Sequence, residues 1–326
     1  MTKASVSIYA CGGTGINIVK DFHLSSGGVY PVINKYYVDT SDANISKDDK
    51  SAYIIPGFEN GSGSNRAEVY RNFDGRQSEY LNAFKPGSFN IVVFSLAGGT
   101  GNASGLLIME EMLKRGIPVI AIAITETISK TRADSSYASF RSFMNFAEKG
   151  KLPFSAIFME LSSSSGDLKG EGNSGTQQYI VERARKLMTN ICYITSEQHD
   201  DLDRRDVVTF INYHKVMDIT PRLAEVAIVD PTSQNGGVLN QTAFSAVQVL
   251  ASRHVTSNLN AFYIKTGHFK STDEEAPNSV AMIITDSTIK VRMNRLKEKV
   301  DEFNKQLEAF KAPASVIEEG DERGFV

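Results

Sequence analysis

The sequence predicts an α/β fold, a parallel sheet wrapped by helices with a smaller α+β unit behind it. Three observations carry that expectation. Short apolar runs alternate with helical patterns through the first half of the chain, and several of those runs end in loops rich in Gly, Asp or Thr. One long amphipathic helix then separates that half from a stretch of different character. The apolar runs are residues 5–10, 32–38, 52–55, 90–95, 117–125 and 154–160, and helical patterns begin near Thr14, Arg66, Asn102 and Asp134. In open sheets of this kind ligands bind beyond the carboxyl ends of the strands.

Residues 161–175, LSSSSGDLKGEGNSG, read as a loop. The long helix follows over 176–196, where Ile180, Ala184, Leu187, Met188 and Ile191 recur at steps of three and four. Beyond it, strands at 224–229, 260–266 and 279–285 surround a helix expected at 242–252. A last helix runs from about Asp286 to Lys311. Its 4-3 spacing of Ile289, Met293, Leu296, Val300, Phe303, Leu307 and Phe310 suits a helix lying on its own domain, or a coiled coil. Pro313 closes it, and an acidic tail follows.

Composition narrows the function classes. At 326 residues, 41% hydrophobic and 22% charged, the chain has ordinary globular composition. A net charge of −3 gives no electrostatic case for nucleic acid, which usually needs a basic face. No apolar stretch approaches the roughly 20 residues of a membrane span, and the first residues lack the pattern of a signal peptide. Cys11 and Cys192 are far apart, without metal-ligand spacing, and both read as buried thiols. The expectation is a reduced, cytoplasmic protein with no membrane partner and no direct nucleic-acid partner.

Two glycine loops carry the chemistry. Ala10-Cys11-Gly12-Gly13-Thr14-Gly15-Ile16-Asn17-Ile18 follows the first strand and opens a helix. Glycines there let backbone approach a phosphate, and the helix N-terminus offers unpaired N–H groups. A dinucleotide fingerprint needs a third Gly where this chain has Ile18, and no GxxxxGK[ST] exists. Asp39, at the end of the second strand, suits a ribose hydroxyl in a dinucleotide or a mononucleotide fold. The second loop, Leu96-Ala97-Gly98-Gly99-Thr100-Gly101-Asn102-Ala103-Ser104-Gly105, makes another strand–loop–helix turn. Two such turns at one sheet edge wrap a chain of phosphates from both sides.

On these loops the sequence resembles the tubulin/FtsZ superfamily, its bacteriophage members most closely. The family signature GGGTG[ST]G reads AGGTGNA at 97–103, intact through GGTG and departing at Ala97, Asn102 and Ala103. Asn102 supplies an amide where the family has a hydroxyl. The resemblance implies nucleotide contacts from Gly12, Gly13, Thr14, Gly15 and Asn17, and from Ala97, Gly98, Gly99, Thr100, Gly101 and Asn102. Asp39, Thr40, Asp42 and Asn44 match a D-T-x-D-x-N pattern. Gly61, Gly63, Asn65 and Arg66 resemble the loop that senses the γ-phosphate. Glu126 to Asp134 correspond to the loop at the ribose and base edge. Glu160, Gln178, Tyr179 and Glu182 fall where the family reads guanine, with Tyr179 placed to stack on the ring.

At the end of the long helix, Asp201-Leu202-Asp203-Arg204-Arg205-Asp206 stands where the family has N-x-D-x-x-D, with Asp201 for the Asn. The resemblance implies that Asp203 and Asp206 act in the neighbouring subunit's site. Seen alone, the same residues read as a capped helix N-terminus. It also implies a tail, Glu318, Glu319, Asp321, Glu322, Phe325 and Val326, that docks on a neighbour. Lys290, Arg292, Arg295 and Lys297 are candidate basic partners, and a solvated terminus is the plain alternative. The implied division is a GTP-binding domain at 1–174, central helix and acidic loop at 175–213, an α+β domain at 214–286, a long helix at 287–311 and the tail at 312–326.

The function implied is that of a polymerising GTPase forming cytoskeletal filaments. It would use GTP/GDP and Mg²⁺, with further copies of itself as partner in a longitudinal homopolymer. It would position phage DNA or its compartment in the host bacterial cytoplasm. The alternatives are a nucleotide-binding assembly protein that does not hydrolyse, and a dinucleotide oxidoreductase.

Overall fold

Strands buried on both faces, with alternate residues entering two different cores, fix the architecture. The computed structural model describes residues 5–24, 30–46, 48–59, 61–63, 65–162, 174–196, 199–233, 242–269 and 278–311. In β1 (Ser5–Cys11), Val6, Ile8 and Ala10 enter one core while Tyr9 and Cys11 enter another, so the strand is covered on both sides. The chain continues through α1 (Gly12–Val19), β2 (Val32–Asp39), β3 (Ala52–Ile54), α2 (Arg66–Phe73) and α3 (Gln77–Ala83). Next come β4 (Phe89–Ser95), α4 (Thr100–Lys114), β5 (Val119–Glu126), α5 (Lys130–Gly150) and β6 (Ser155–Leu161). These strands pair in parallel in the order β3-β2-β1-β4-β5-β6.

A two-residue strand, β7 (Ser174–Gly175), pairs with the end of β6 and leads into α6 (Gln177–Ile194). Then follow β8 (His199–Asp200), α7 (Arg204–Ile211), α8 (Tyr213–Met217), β9 (Ala224–Val229), β10 (Ala243–Leu250), β11 (Ala261–Phe269), β12 (Val280–Thr285) and α9 (Ile289–Lys311). The sheet runs on from β6 as β9-β12-β10-β11-β8, with β12 antiparallel to β9 and β10. Apolar residues of α1, α6, α7 and α8 fill the core on one face. Those of α2, α3, α4, α5 and α9 fill the core on the other. The predicted α/β class is what the structure has.

One predicted element changes type. Residues 242–252 are not a helix: AFSAVQVL forms β10, all eight residues buried, between β12 and β11. A run apolar on every side satisfies either period, and only its neighbours decide. Two helices, α3 and α8, lie outside the elements read from sequence, while α7 starts where the acidic residues read as a helix cap. Residues 163–173, most of the Ser/Gly stretch, and the tail 312–326 lie outside the described residues.

The last helix lies on its own chain, against α5, with Ile289 and Leu296 buried and Met293 packed beside them. Arg292 and Arg295, two of the candidate partners for the tail, fasten it to the sheet. Arg292 pairs with the buried Glu225 of β9, and Arg295 Nε lies 3.2 Å from Glu160 Oε2 on β6. Lys290 and Lys297 are exposed. Among the described residues no helix is long and apolar enough to cross a membrane. Arg292→Met strands the carboxylate of Glu225, a residue 5% exposed. Urea unfolding should show a loss of about 3 kcal/mol, the scale for breaking a buried ion pair.

Candidate functional site

Two parallel neighbours, β1 and β4, end side by side, and their loops touch through backbone alone. Gly12 takes φ +66, and a Cβ there would stand 2.7 Å from Gly101 N. A Cβ on Gly101 would stand 2.6 Å from Cys11 O. Any side chain at either position would push the loops apart, so both glycines are required by contact. The result is two helix N-termini, α1 and α4, opening on one edge, the arrangement that favours a chain of anionic groups. Along α1, Gly13, Thr14 and Asn17 form the half-exposed stripe, while Gly15 is pressed on β4, where a Cβ would stand 2.2 Å from Val93 O. In the second loop Gly98 is the half-open position and Ala97, Gly99 and Thr100 are buried.

Hydroxyl groups stitch three loops together. Thr40 Oγ1 lies 2.8 Å from Thr100 Oγ1, and Ser62 Oγ lies 3.1 Å from Thr100 Oγ1. Ser62 N donates to Thr40 Oγ1 at 3.0 Å. Asp39 sits beneath, its Oδ1 accepting from Thr40 N at 2.8 Å and its Oδ2 from Asn44 Nδ2 at 3.4 Å. Burial raises the Asp39 carboxyl above its ordinary value of 3.8, against these hydrogen bonds, which favour the anion. Ser62 joins the candidate site without being singled out by the sequence pattern, because only the glycines on either side of it, Gly61 and Gly63, match the family loop. Gly63 has φ +53 and open space around it, and Asn65 caps α2 by accepting from Glu68 N at 3.2 Å.

Behind the second loop the predicted contacts turn inward. Asn102 is fully buried, its Nδ2 donating to Ser139 Oγ at 2.7 Å. Arg66 Nη1 donates to the same Ser139 Oγ at 2.8 Å. The expectation that the Asn102 amide replaces a phosphate-binding hydroxyl is therefore corrected: the amide ties α4 to α5. Glu126 is likewise internal, accepting from Ser95 Oγ at 2.5 Å and facing Arg132 at 3.5 Å. Asp134 pairs with Lys130 at 2.6 Å near the start of α5.

Glu160, expected at the base, is engaged within the chain. It follows Phe158 by two residues on β6 and so faces α5 and α9, the side away from α6. Its Oε1 accepts from Thr127 Oγ1 at 2.9 Å, and its Oε2 meets Arg295. On α6, Gln178 and Glu182 are exposed and bonded to each other at 3.0 Å, and Tyr179 is half-buried at the core margin. Arg185 joins that helix to the first, donating to Ile18 O at 2.9 Å and Asn17 O at 3.4 Å.

The acidic loop lies at the other end of α6. Asp203 caps α7, its Oδ1 accepting from Arg205 N at 2.7 Å and Asp206 N at 3.0 Å. Asp206 Oδ2 accepts from Asp203 N at 3.0 Å, which completes a capping box. Asp201, at φ +64, and Asp200 both pair with Arg253. Among the described residues no cluster of three His, Cys, Asp or Glu could hold a metal ion.

The strand order β3-β2-β1-β4-β5-β6 also occurs in dinucleotide-binding folds. Here, however, Ile18 is packed in the core where such a fold needs Gly, and a second glycine loop meets the first. The architecture is the tubulin/FtsZ fold. The solved protofilament of TubZ from bacteriophage PhiKZ superposes with a TM-score of 0.80 at 19% identity, covering 98% of this chain and 97% of that one. The phage tubulin PhuZ with GDP superposes at 0.79 and 18% identity, covering 98% and 99%. In sequence the chain is similar to the phage tubulin-like protein of Pseudomonas phage PhiPA3, 24% identical over 78% of this chain and 76% of that protein. No family model matches. The resemblance to phage tubulin-like proteins thus spans most of the chain.

Asp39→Asn tests the site in two ways. Because its folded carboxyl is raised, wild type holds that contribution to stability below pH 3.8 and loses it as pH rises through the raised value. Thermal melting should therefore show the variant gaining on wild type between pH 4 and pH 7, while its nucleotide affinity in equilibrium titration falls roughly tenfold, one charge-assisted hydrogen bond.

Proposed function

We propose that this chain is a polymerising GTPase whose nucleotide, bound across the two glycine loops, is hydrolysed by the acidic loop of the next copy. One observation carries the reading. Helix α6 leaves the carboxyl edge of β6 and has 18 residues, so it spans about 27 Å before the acidic loop begins. The two halves of the chemistry sit at opposite ends of one rigid helix, and head-to-tail stacking of copies unites them. The solved relatives named as a protofilament and as bound to GDP support the same reading.

Phosphoryl transfer asks for positioning and charge neutralisation more than covalent help. The N-termini of α1 and α4 receive the phosphates, and Thr40, Ser62 and Thr100 line the junction of three loops. The carboxylates at 203 and 206 orient the attacking water. Mg²⁺ would be held by phosphate oxygens and water beside Asp39 and these hydroxyls, where it neutralises charge. The division into GTP-binding domain, 175–213 connector, 214–286 domain, 287–311 helix and tail stands as part of this proposal. So does action in the host cytoplasm on phage DNA or its compartment, with no membrane or direct nucleic-acid contact. A second reading, assembly without hydrolysis, is favoured by the capping box that engages both carboxylates.

GTP hydrolysis measured against protein concentration, with light scattering in parallel, decides between them. The expected result is a threshold in rate that coincides with scattering, with Asp206→Ala losing the rate and keeping the scattering. A rate per subunit independent of concentration removes hydrolysis between copies, and scattering without hydrolysis in wild type leaves passive assembly. Deleting residues 318–326 should raise the assembly threshold at least tenfold and leave nucleotide affinity unchanged. Sedimentation at the wild-type threshold would refute this if the truncated chain pellets equally.

A further inference from the structure

The strand β11 presents one face to the acidic loop, and three alternate residues on that face touch it. Tyr263 Oη donates to Asp206 Oδ1 at 3.1 Å. Lys265 Nζ lies 3.5 Å from Asp206 Oδ2. Gly267 leaves no room for a side chain, since a Cβ would stand 2.7 Å from Leu202 Cβ and 3.1 Å from Asp200 O. Residues at i, i+2 and i+4 of a strand share a face, so the spacing is what a template requires. The helix that carries Asp206 is fixed independently: Val207, Phe210 and Ile211 are buried, and Ser245 Oγ on β10 donates to Phe210 O at 2.8 Å.

The two carboxylates of the loop therefore differ. Asp206 is 16% exposed, with both oxygens engaged by Asp203 N, Tyr263 and Lys265. Asp203 is exposed, and its hydrogen bonds to α7 both fall on Oδ1. Burial, then the charge of Asp206, pushes the Tyr263 hydroxyl up to about 12, so it stays a donor at neutral pH.

We propose that Tyr263, with Lys265, is a positioning residue for hydrolysis: it locks the Asp206 carboxylate in one orientation and thereby the loop that presents Asp203 to the next copy. The proposal rests on hydrolysis between copies. Tyr263 and Lys265 touch the water-orienting group and not the nucleotide of their own chain. A fixed carboxylate orients water better than a rotating one, because the geometry is set before the reaction begins.

The test uses the full chain with Tyr263→Phe, which keeps the ring and removes the donor, and Lys265→Met beside Lys265→Arg. Two quantities are read: GTP turnover per polymerised subunit, and the critical concentration with a slowly hydrolysed GTP analogue. Tyr263→Phe and Lys265→Met should each lower turnover roughly tenfold, the scale of one hydrogen bond to a charged group. The critical concentration should stay within about twofold of wild type, and Lys265→Arg should recover most of the turnover. Unchanged turnover in Tyr263→Phe overturns the proposal, and so does a critical concentration that rises in step with the lost turnover, which would make these residues interface contacts. If Asp206→Ala also keeps wild-type turnover, the reading of hydrolysis between copies has failed. If Asp206→Ala is inactive while Tyr263→Phe is fully active, the positioning role alone has failed.

Discussion

The approach of Gly12 to Gly101 is the constraint on which the site depends. Parallel strands lie about 4.8 Å apart, and the turns that leave them must fit within that spacing if two helices are to open on the same edge. Backbone against backbone is the only packing that fits, because a single added carbon would clash with Gly101 N or Cys11 O. The same contact places Thr100 beside Thr40 and Ser62. Loops that are distant in sequence thus become one surface through hydroxyls that need no charge. Asp39 brings a carboxylate to that junction, and burial there raises it above its ordinary value.

Helix α6 sets the second scale. Its first turn follows the carboxyl end of β6, and Arg185, midway along it, holds the helix against the last carbonyls of α1. Its far end passes into β8 and the acidic loop, which β11 supports. A helix packed on both β6 and the strands beyond it transmits position along about 27 Å with little bending. In the proposed stacking of copies, the spacing of site and loop within one copy would set the spacing of loop and site between copies. Beyond β6, β10 and β11 support α7, through Ser245 on Phe210 and Tyr263 on Asp206.

Much of this is legible in sequence, for reasons that differ by element. Strands β1, β4, β5 and β6 declare themselves because burial on both faces leaves unbroken apolar runs closed by glycine or polar loops. The two glycine loops are legible because close backbone approach leaves no other residue type. Misreading arises where identity does not encode direction. Glu160 reads as a base contact until the pleat turns it to α9, and Asn102 as a phosphate contact until the first turn of α4 carries it inward. Ser139 and Tyr263 carry no signal, since nothing in a mid-helix Ser or a strand Tyr marks the partner that folding brings from 37 or 57 residues away.

The departures from the family signature bear on whether hydrolysis survives, and their positions argue that they do not weigh against it. Ala97, Asn102 and Ala103 are 3%, 0% and 2% exposed, whereas Gly98, in the intact GGTG, is the half-open position of that loop. Ala97 N donates to Ser95 Oγ, and Asn102 reaches Ser139, which Arg66 also reaches. The altered positions thus belong to the packing beneath the loop, where α4 is fastened to α5 and to the start of α2. Within the preserved GGTG, Gly98 is half-open, Thr100 meets Thr40 and Ser62, and Gly101 is required by its contact with Cys11, so the intact stretch holds both the open position and the backbone contact that shapes the edge.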